Sequence, residues 1–312
     1  MLSLGRTVQA DPVSLAVGPR PESVTKGWHD KLYVSIQGPS GDLGVFDGEV
    51  RQIDVASGVT TPFVGGLENP RGITFTGKFL VVADQKKIYR IDAEGKKEVL
   101  ASAEQFPFPA NFFNDAATEP GGRAVYVTEM GRRDLIRMAP PPSPTPPATP
   151  PGPQRLIPVD SPAAWEIPAL ARVYRIGLDG KISSMFEPSR KLLVINGVTA
   201  SRKTGKLLVL DFFHGSVVEV DAKAGKKTGG KTILATGLRG ADGIEQAKDG
   251  TLYVSSFENG AVWRLDADGE NPKLLLKDVG FQTTADFYLD EPGKRLYVPN
   301  TAAGTVIVVP ID

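Results

Sequence analysis

The chemistry available to this chain rests on oxygen and guanidinium groups. It has no cysteine and only two histidines, His29 and His214, among 312 residues. Disulfide bonds, thiol nucleophiles and thiolate metal sites are therefore excluded. The two histidines are too far apart in sequence to form a His-x-x-x-His metal helix. Any catalysis or metal binding must therefore use mainly carboxylates, amides, hydroxyls, lysine and arginine.

Polar residues recur at one position of a repeated pattern, usually followed by a small residue and then Val or Ile. They are Glu22, Arg71, Asn114, Asn196 and Asp242, and a sixth repeat has Ala285 at this position. The carboxylates and amides of this set offer only oxygen ligands and a double negative charge. Such a set suits Ca²⁺, with Mg²⁺ and Mn²⁺ as alternatives, and disfavours Zn²⁺ and Cu²⁺ because it contains no imidazole or thiolate.

The alternative interpretation is that these are turn residues, since Asn, Asp and Gly are common in turns. It accounts for Asn196-Gly197 and Asp242-Gly243. It accounts poorly for Glu22, and it does not predict that the residues share a register. A carboxylate in a narrow channel is also costly unless it is paired or metal-bound. We therefore favour a metal site over simple turns.

The elements that carry these positions are predicted to be strands. Apolar residues alternate between turns rich in Gly, Asp and Asn, and each repeat contains a Leu-Tyr-Val-like segment. These segments are Leu32-Tyr33-Val34, Leu80-Val81-Val82, Val125-Tyr126-Val127, Leu207-Leu208-Val209, Leu252-Tyr253-Val254 and Leu296-Tyr297-Val298. Six such units predict an all-β, six-bladed β-propeller with four-stranded blades, whose first strands line a central channel. We assign 1–312 to one domain, with blades beginning near 21, 69, 113, 195, 241 and 284.

The two ends of the chain are predicted to close the ring together. The sixth repeat stops at Ile311-Asp312, directly after its third strand. The segment 13–17 precedes the first repeat and is expected to supply the outer strand of the last blade. This pairing would remove an exposed sheet edge.

One interval, from Asn114 to Asn196, is nearly twice as long as the others. The excess is an insertion in blade three at 133–169, and it includes a proline-rich run at 140–153. Such a run cannot donate backbone hydrogen bonds. The insertion leaves the ring on the face of the aligned polar residues, so it is either a lid over the pocket or a solvated loop without a role.

Four of the turns resemble the signature turns of the regucalcin/gluconolactonase (senescence marker protein) family. They are Pro21-Glu22-Ser23, Phe113-Asn114-Asp115, Asn196-Gly197-Val198 and Ala241-Asp242-Gly243-Ile244. Diisopropyl fluorophosphatase and paraoxonase share the architecture more distantly. The resemblance covers the chain apart from the insertion and implies a divalent cation, commonly Ca²⁺, held directly by Glu22, Asn196 and Asp242. It makes Asn114 a fourth ligand or a substrate contact, and it implies hydrolysis of a lactone or related ester.

Such a site would work by metal-assisted hydrolysis. The cation would polarise a carbonyl or phosphoryl oxygen and lower the pKa of bound water. Asp242, held ionised by the cation, is the candidate base that activates water or the candidate nucleophile. Asn114 would position the substrate oxygen.

One departure from the family pattern bears on the substrate. Sugar-acid lactonases of this family usually have arginine two positions before the asparagine of the Asn-Asp turn, where this chain has Phe112. The loss of this guanidinium predicts a small-molecule substrate less polar than a sugar acid. Core packing is the alternative role for the aromatic cluster around Phe112. Arg71 either replaces the missing charge or pairs with a carboxylate such as Glu68.

Two further side chains follow second strands on the same face. His214 is a candidate for substrate binding or proton transfer. Glu129 is a candidate pocket residue, with a solvated loop carboxylate as the alternative. His29 is expected to be an exposed turn residue.

Charge and composition exclude some partners. The chain has 36 Lys+Arg and 36 Asp+Glu, so nothing electrostatic favours nucleic acid or an acidic membrane surface. No apolar run is long enough to span a bilayer. Val8-Gln9-Ala10 resembles the end of a signal-peptide cleavage site, but no apolar stretch precedes it. A cytoplasmic protein and a trimmed exported protein both stay open, as does the oligomeric state.

The repeat pattern and its polar residues are compatible with three functions. The first is a metal-dependent lactonase or esterase, and the second is a non-catalytic propeller that binds a ligand or protein. The third is a strictosidine-synthase-like condensing enzyme, which needs no metal but needs an axial acid from the last blade. Ala285 occupies that position and Asp286 is out of phase, which counts against the third.

Overall fold

The fold is a ring of six antiparallel sheets, each of four strands. The computed structural model describes residues 13–40, 44–138, 154–222, 230–277 and 279–311. The inner strands of neighbouring blades contact one another around the ring, and those of the first and last blades also meet. The predicted six-bladed β-propeller is therefore confirmed. The proline-rich run and the Val8-Gln9-Ala10 segment lie outside the described residues.

Each of the first five blades is formed by consecutive strands. Blade one contains β2 (Pro21–Lys26), β3 (Leu32–Ile36), β4 (Gly48–Ile53) and β5 (Thr60–Leu67). Blade two contains β6 (Pro70–Phe75), β7 (Leu80–Asp84), β8 (Lys87–Ile91) and β9 (Lys97–Ser102). Blade three contains β10 (Phe113–Thr118), β11 (Ala124–Glu129), β12 (Arg172–Gly177) and β13 (Ile182–Ser184). Blade four contains β14 (Ile195–Ala200), β15 (Leu207–Asp211), β16 (Ser216–Val220) and β17 (Lys231–Ala235). Blade five contains β18 (Ala241–Gln246), β19 (Leu252–Ser256), β20 (Ala261–Leu265) and β21 (Lys273–Leu276).

The sixth blade joins the two ends of the described chain. It contains β22 (Tyr288–Asp290), β23 (Arg295–Asn300), β24 (Thr305–Pro310) and, as its outer strand, β1 (Val13–Ala16). Strand β1 pairs antiparallel with β24, and the N–H of the fully buried Val17 donates to the Gly304 carbonyl at 3.0 Å. The predicted ring closure is confirmed. The inner strand β22 begins at Tyr288, later than the expected position near 284.

Helical structure is sparse in the described residues. Short 3₁₀ helices span Trp28–Asp30, Ala103–Gln105 and Arg133–Leu135, and one α-helix, α1, spans Pro162–Trp165. Within the described ranges, no helix is long and apolar enough to cross a membrane.

The hydrophobic core lies between neighbouring blades. Strands β7 and β15 are buried along their whole length because a neighbouring blade packs on each face. For example, Val81 and Ile88 of blade two share one apolar cluster with Phe113 and Val127 of blade three. This packing holds the inner strands in a fixed relation around the axis.

A β-bulge interrupts the inner strand of each of the first five blades. In β2 the register with β3 shifts between Pro21 and Ser23, and in β10 it shifts between Phe113 and Ala116. A bulge inserts an extra residue and redirects the local side chains. Consecutive polar residues such as Glu22 and Ser23 therefore both reach the channel.

The small residues that follow the aligned polar residues let the inner strands approach closely. A Cβ placed on Gly197 would lie 2.4 Å from the carbonyl oxygen of Asp242 in the next blade. A Cβ placed on Gly243 would lie 2.5 Å from Asp286 Oδ1. Glycine is therefore required at both positions for steric reasons.

We expect Gly197→Ala to lower the free energy of unfolding by about 2 kcal/mol, because the new methyl group overpacks the contact between blades four and five. Urea denaturation would measure the change. Gly65→Ala is the matched control, since a Cβ at Gly65 meets nothing within 4 Å. Equal losses in the two variants would contradict the steric argument.

Candidate active site on the propeller axis

The aligned polar residues line one cavity of about 450 Å³ on the axis. Its lining includes all five of the polar residues predicted there: Glu22, Arg71, Asn114, Asn196 and Asp242. Four of them are almost completely buried, and Arg71 is partly buried. The propeller thus brings together side chains that are widely separated along the chain.

Asp242 has one carboxylate oxygen that is hydrogen-bonded and one that is not. Its Oδ2 accepts a hydrogen bond from Asn196 Nδ2 at 2.7 Å. Its Oδ1 is buried and has no hydrogen-bond partner among the described residues. Burial, together with the negative charges of Glu22 and Asp115, raises the pKa of the Asp242 carboxyl well above its ordinary value. The site therefore contains a buried acidic oxygen that needs a cation or a donor.

Glu22 is held from two sides. Its Oε1 forms an ion pair with the Arg71 guanidinium at 2.9 Å, and its Oε2 accepts from Gln37 Nε2 at 2.6 Å. Arg71 was expected either to replace the missing guanidinium or to pair with a carboxylate such as Glu68. It pairs with a carboxylate, and the partner is Glu22. Glu68 instead accepts a hydrogen bond from the Gly44 N–H at 2.8 Å.

Asn114 presents its amide oxygen to the cavity. Its Nδ2 donates to Met130 Sδ at 3.1 Å. An amide whose nitrogen is engaged on one side offers its carbonyl oxygen on the other.

These donors fit a hard divalent cation such as Ca²⁺. The buried, unpartnered Oδ1 of Asp242 is the kind of oxygen that such a cation binds. A cation would also relieve the repulsion between Glu22 and Asp242. Among the described residues no three His, Cys, Asp or Glu side chains form a metal-binding group, because half of this donor set consists of amides.

A second layer of polar residues lies one position further along the inner strands. Ser23 Oγ donates to Asp286 Oδ2 at 2.5 Å, and Asp115 Oδ2 accepts from the Val198 N–H at 2.7 Å. Burial raises the pKa of Asp115 to about 6. The repeat pattern alone did not predict this layer, although the consecutive polar residues Glu22-Ser23 and Asn114-Asp115 at two of the bulges are a signal for it. Asp286 belongs to this layer and does not line the axial cavity. Its position weighs against a condensing enzyme, which would need an acid from the last blade in that cavity.

Two of the expected substrate contacts lie away from the cavity. Glu129 is 2% exposed, and its carboxylate accepts from the N–H groups of Asn111 at 3.3 Å and Gly131 at 3.1 Å. His214 Nδ1 lies 3.0 Å from Asp211 Oδ2. Neither side chain lines the axial cavity, because each is turned toward its own blade by these local hydrogen bonds. His29 is exposed, as expected.

Phe112 is not presented to the cavity as an open apolar surface. The residue is 7% exposed, and the guanidinium carbons of Arg71 and Arg133 lie 4.6 Å and 3.9 Å from its ring centroid. Phe113 is fully buried and packs on Phe106, with 4.6 Å between ring centroids. The basis for expecting a less polar substrate is therefore removed, since cations cover the ring.

The described ends of the blade-three insertion form part of the cavity rim. Arg133, Arg137 and Gln154 line the cavity, and Arg137 Nη1 donates to the Gln154 carbonyl at 2.8 Å. Ile136 and Ile157 are buried in an apolar cluster beside Phe212. The described residues on either side of the proline-rich run therefore lie at the mouth of the cavity.

The fold and site define a six-bladed β-propeller with an axial pocket of carboxylate and amide oxygens. Residues 46–301 match the family model described as SMP-30/gluconolactonase/LRE-like region. The chain therefore belongs to the SMP-30/gluconolactonase/LRE-like family. A search of curated proteins found no match.

Solved structures of related fold span nearly the whole chain. A gluconolactonase from Xanthomonas campestris is 18% identical with a TM-score of 0.65, covering 97% of this chain and 91% of that one. A calcium-binding regucalcin from Agrobacterium tumefaciens is 18% identical with a TM-score of 0.62, covering 96% and 91%. A luciferin-regenerating enzyme is 16% identical with a TM-score of 0.64, covering 96% and 94%. At these identities the comparisons establish the fold.

Proposed function

We propose that this protein is a divalent-metal-dependent hydrolase that acts on a lactone or a related ester. The observation that carries the proposal is the buried, unpartnered Oδ1 of Asp242 in a cavity lined by carboxylate and amide oxygens. Family membership and the gluconolactonase among its structural neighbours support a lactonase-type reaction. The calcium-binding regucalcin supports Ca²⁺ as the cation, with Mg²⁺ and Mn²⁺ as alternatives.

In this proposal Glu22, Asn114, Asn196 and Asp242 hold the cation. When bound, the cation supplies Lewis-acid polarisation of the substrate carbonyl. Arg71 and Gln37 fix the Glu22 carboxylate by the two contacts described above. Asn196 holds Oδ2 of Asp242 by a hydrogen bond, which leaves Oδ1 to face the cation.

Asp242 acts as the base that accepts a proton from the attacking water, or attacks the acyl carbon as a nucleophile. In the second case the ester C–O bond breaks, the alcohol oxygen leaves, and water hydrolyses the resulting acyl-aspartate. Asn114 positions the substrate oxygen through its side-chain amide. The burial of both residues keeps bulk water away from the reacting groups. The remaining rim of the cavity selects the substrate.

The direct test combines metal analysis of the purified protein with a panel of lactones, esters and phosphotriesters, each assayed with and without chelator. We expect a bound divalent cation, and lactone hydrolysis that chelation removes and added Ca²⁺ restores. Undiminished hydrolysis by metal-free protein would refute the metal dependence. Bound metal without hydrolysis of any compound would favour the non-catalytic ligand-binding propeller.

Glu22→Gln is expected to weaken Ca²⁺ binding by about tenfold or more, because it replaces a charged oxygen ligand with a neutral one. Isothermal titration calorimetry with Ca²⁺ would measure the change. Glu68→Gln removes the same charge from a residue outside the axial cavity and is the matched control. Equal Ca²⁺ affinity in the two variants would exclude Glu22 as a ligand.

A further inference from the structure

Four arginines line the axial cavity, and two of them have no acidic partner within the described part of the chain. They are Arg20, Arg71, Arg133 and Arg137. Arg71 pairs with Glu22, and Arg137 pairs with Glu258 at 2.5 Å. Among the described residues, Arg20 donates to the side-chain oxygen of Gln37 alone, at 2.8 Å and 3.2 Å. Arg133 forms no hydrogen bond or ion pair with any described residue. Positive charge at this rim is therefore incompletely neutralised.

The Phe112 ring orients the Arg133 guanidinium but does not neutralise its charge. Its guanidinium carbon lies 3.9 Å from the centroid of the Phe112 ring, while the residue stays accessible to solvent. Stacking on an aromatic ring fixes the plane of a guanidinium and leaves its N–H donors free at the edge. Desolvation of the stacked guanidinium, together with repulsion from Arg71 and Arg137, lowers the pKa of Arg133. The group is still charged at neutral pH, and a bound anion would relieve this repulsion.

Arg20 reaches the same rim from a strained backbone. Its φ is 58°, in the left-handed region that a side chain of this size seldom adopts. Such conformations persist where the surrounding structure requires them, often at ligand sites. Here the strained residue directly precedes β2 and places a second guanidinium at the cavity.

The cavity is therefore lined by groups of both signs, namely the carboxylates of Glu22 and Asp242 and the guanidinium groups of Arg20 and Arg133, which have no acidic partner among the described residues. We propose that the substrate carries an anionic group, a carboxylate or a phosphate, which Arg133 binds with the help of Arg20. The scissile ester or lactone would lie at Asp242. Arg133 would supply, from the insertion, the guanidinium that Phe112 does not provide. The assignment of the scissile bond rests on the proposed function, whereas the anion site does not.

The first test compares two esters with the same leaving group, mono-4-nitrophenyl glutarate and the neutral 4-nitrophenyl valerate. We expect the wild-type protein to show the higher kcat/KM for the glutarate ester. Arg133→Gln should lower the glutarate-to-valerate ratio by about 10- to 100-fold, as loss of a charge-assisted contact does. Arg133→Lys should restore part of the ratio, because it keeps the charge but not the planar fork.

Arg132→Gln is the matched control for these variants. It removes the same charge from the neighbouring residue, whose guanidinium is already paired with Asp134 at 2.7 Å. We expect it to leave the ratio unchanged. A ratio that is the same in wild type and Arg133→Gln, or a wild-type preference for the valerate ester, would overturn the proposal.

A binding measurement separates this proposal from the proposed function. Calorimetric titration of wild type and Arg133→Gln with glutarate, with inorganic phosphate and with neutral glutaramide needs no turnover. We expect one of the two anions to bind wild type more tightly than glutaramide does, and Arg133→Gln to lose this preference. The tighter anion identifies the group as carboxylate or phosphate. If neither anion binds wild type more tightly than glutaramide, the anion site is refuted, whatever the hydrolysis assays show.

Discussion

Asp242→Asn is expected to lower kcat/KM for lactone hydrolysis by roughly 10³-fold, the scale of losing a general base. The substitution keeps the size of the side chain and an oxygen that can accept from Asn196. It removes the negative charge from the buried Oδ1, which has no hydrogen-bond partner in the described ranges. Steady-state kinetics at saturating Ca²⁺ would measure the loss. Full turnover in this variant would exclude Asp242 from the reaction.

The same variant should be at least as stable as the parent protein when both are measured without added metal. In the parent protein the Asp242 carboxyl is buried near Glu22 and Asp115, and the negative charges of both raise the energy of its ionised form. Removing an unpaired buried charge relieves repulsion and desolvation. Thermal melting would test this combination of lost activity and retained stability.

Asp84→Asn is the matched control for the Asp242 variant. Asp84 is also a buried carboxylate, but it accepts from the N–H groups of Glu68 at 3.0 Å and Asn69 at 2.6 Å. Its replacement should lower stability by about 1–3 kcal/mol, because the new amide can satisfy only one of these donors with its oxygen. It should leave kcat/KM essentially unchanged, since Asp84 does not line the axial cavity.

A chain that begins at Gly18 is expected to be about 3–5 kcal/mol less stable than one that begins at Val13. The shorter chain lacks β1, which pairs over four residues with β24, and loses the fully buried side chain of Val17. Burying one such side chain contributes about 1.5–3 kcal/mol, and the lost strand pairing adds to it. The exposed edge of β24 should also favour association.

Urea denaturation of the two chains at equal, low concentration would measure the difference, and light scattering would detect association. Val17→Ala in the longer chain isolates the contribution of the buried side chain and should account for only part of the loss. Equal stability of the two chains would show that ring closure by β1 contributes nothing to the fold.

Much of the fold could be predicted because its signals are local and repeated. The apolar alternation at Leu252-Tyr253-Val254 corresponds to the buried strand β19. The pairing of β1 with β24 could also be predicted. The last repeat ends after its third strand, and the apolar segment 13–17 belongs to no other repeat. The axial positions followed as well, because equivalent residues of a closed repeat must face the same channel.

The positions of side chains that depend on bulges or on local hydrogen bonds could not be predicted from the repeat pattern. A bulge adds one residue to a strand, so Ser23 and Asp115 enter the channel next to the aligned residues. Asp286 reaches Ser23 from just before β22. Glu129 and His214 lie on the expected face, but hydrogen bonds within their own blades turn them from the cavity. Nothing in the spacing of residues indicates where such bonds form.

The sequence by itself determined the six-bladed ring, its closure and the axial placement of Glu22, Arg71, Asn114, Asn196 and Asp242, because periodic patterns specify which face each strand buries. Only the tertiary structure decided the charges around that site. The pairing of Arg71 with Glu22 and the stacking of Arg133 on Phe112 join residues of different blades and of the insertion. Contacts of this kind depend on distances across the ring, which no repeat period encodes.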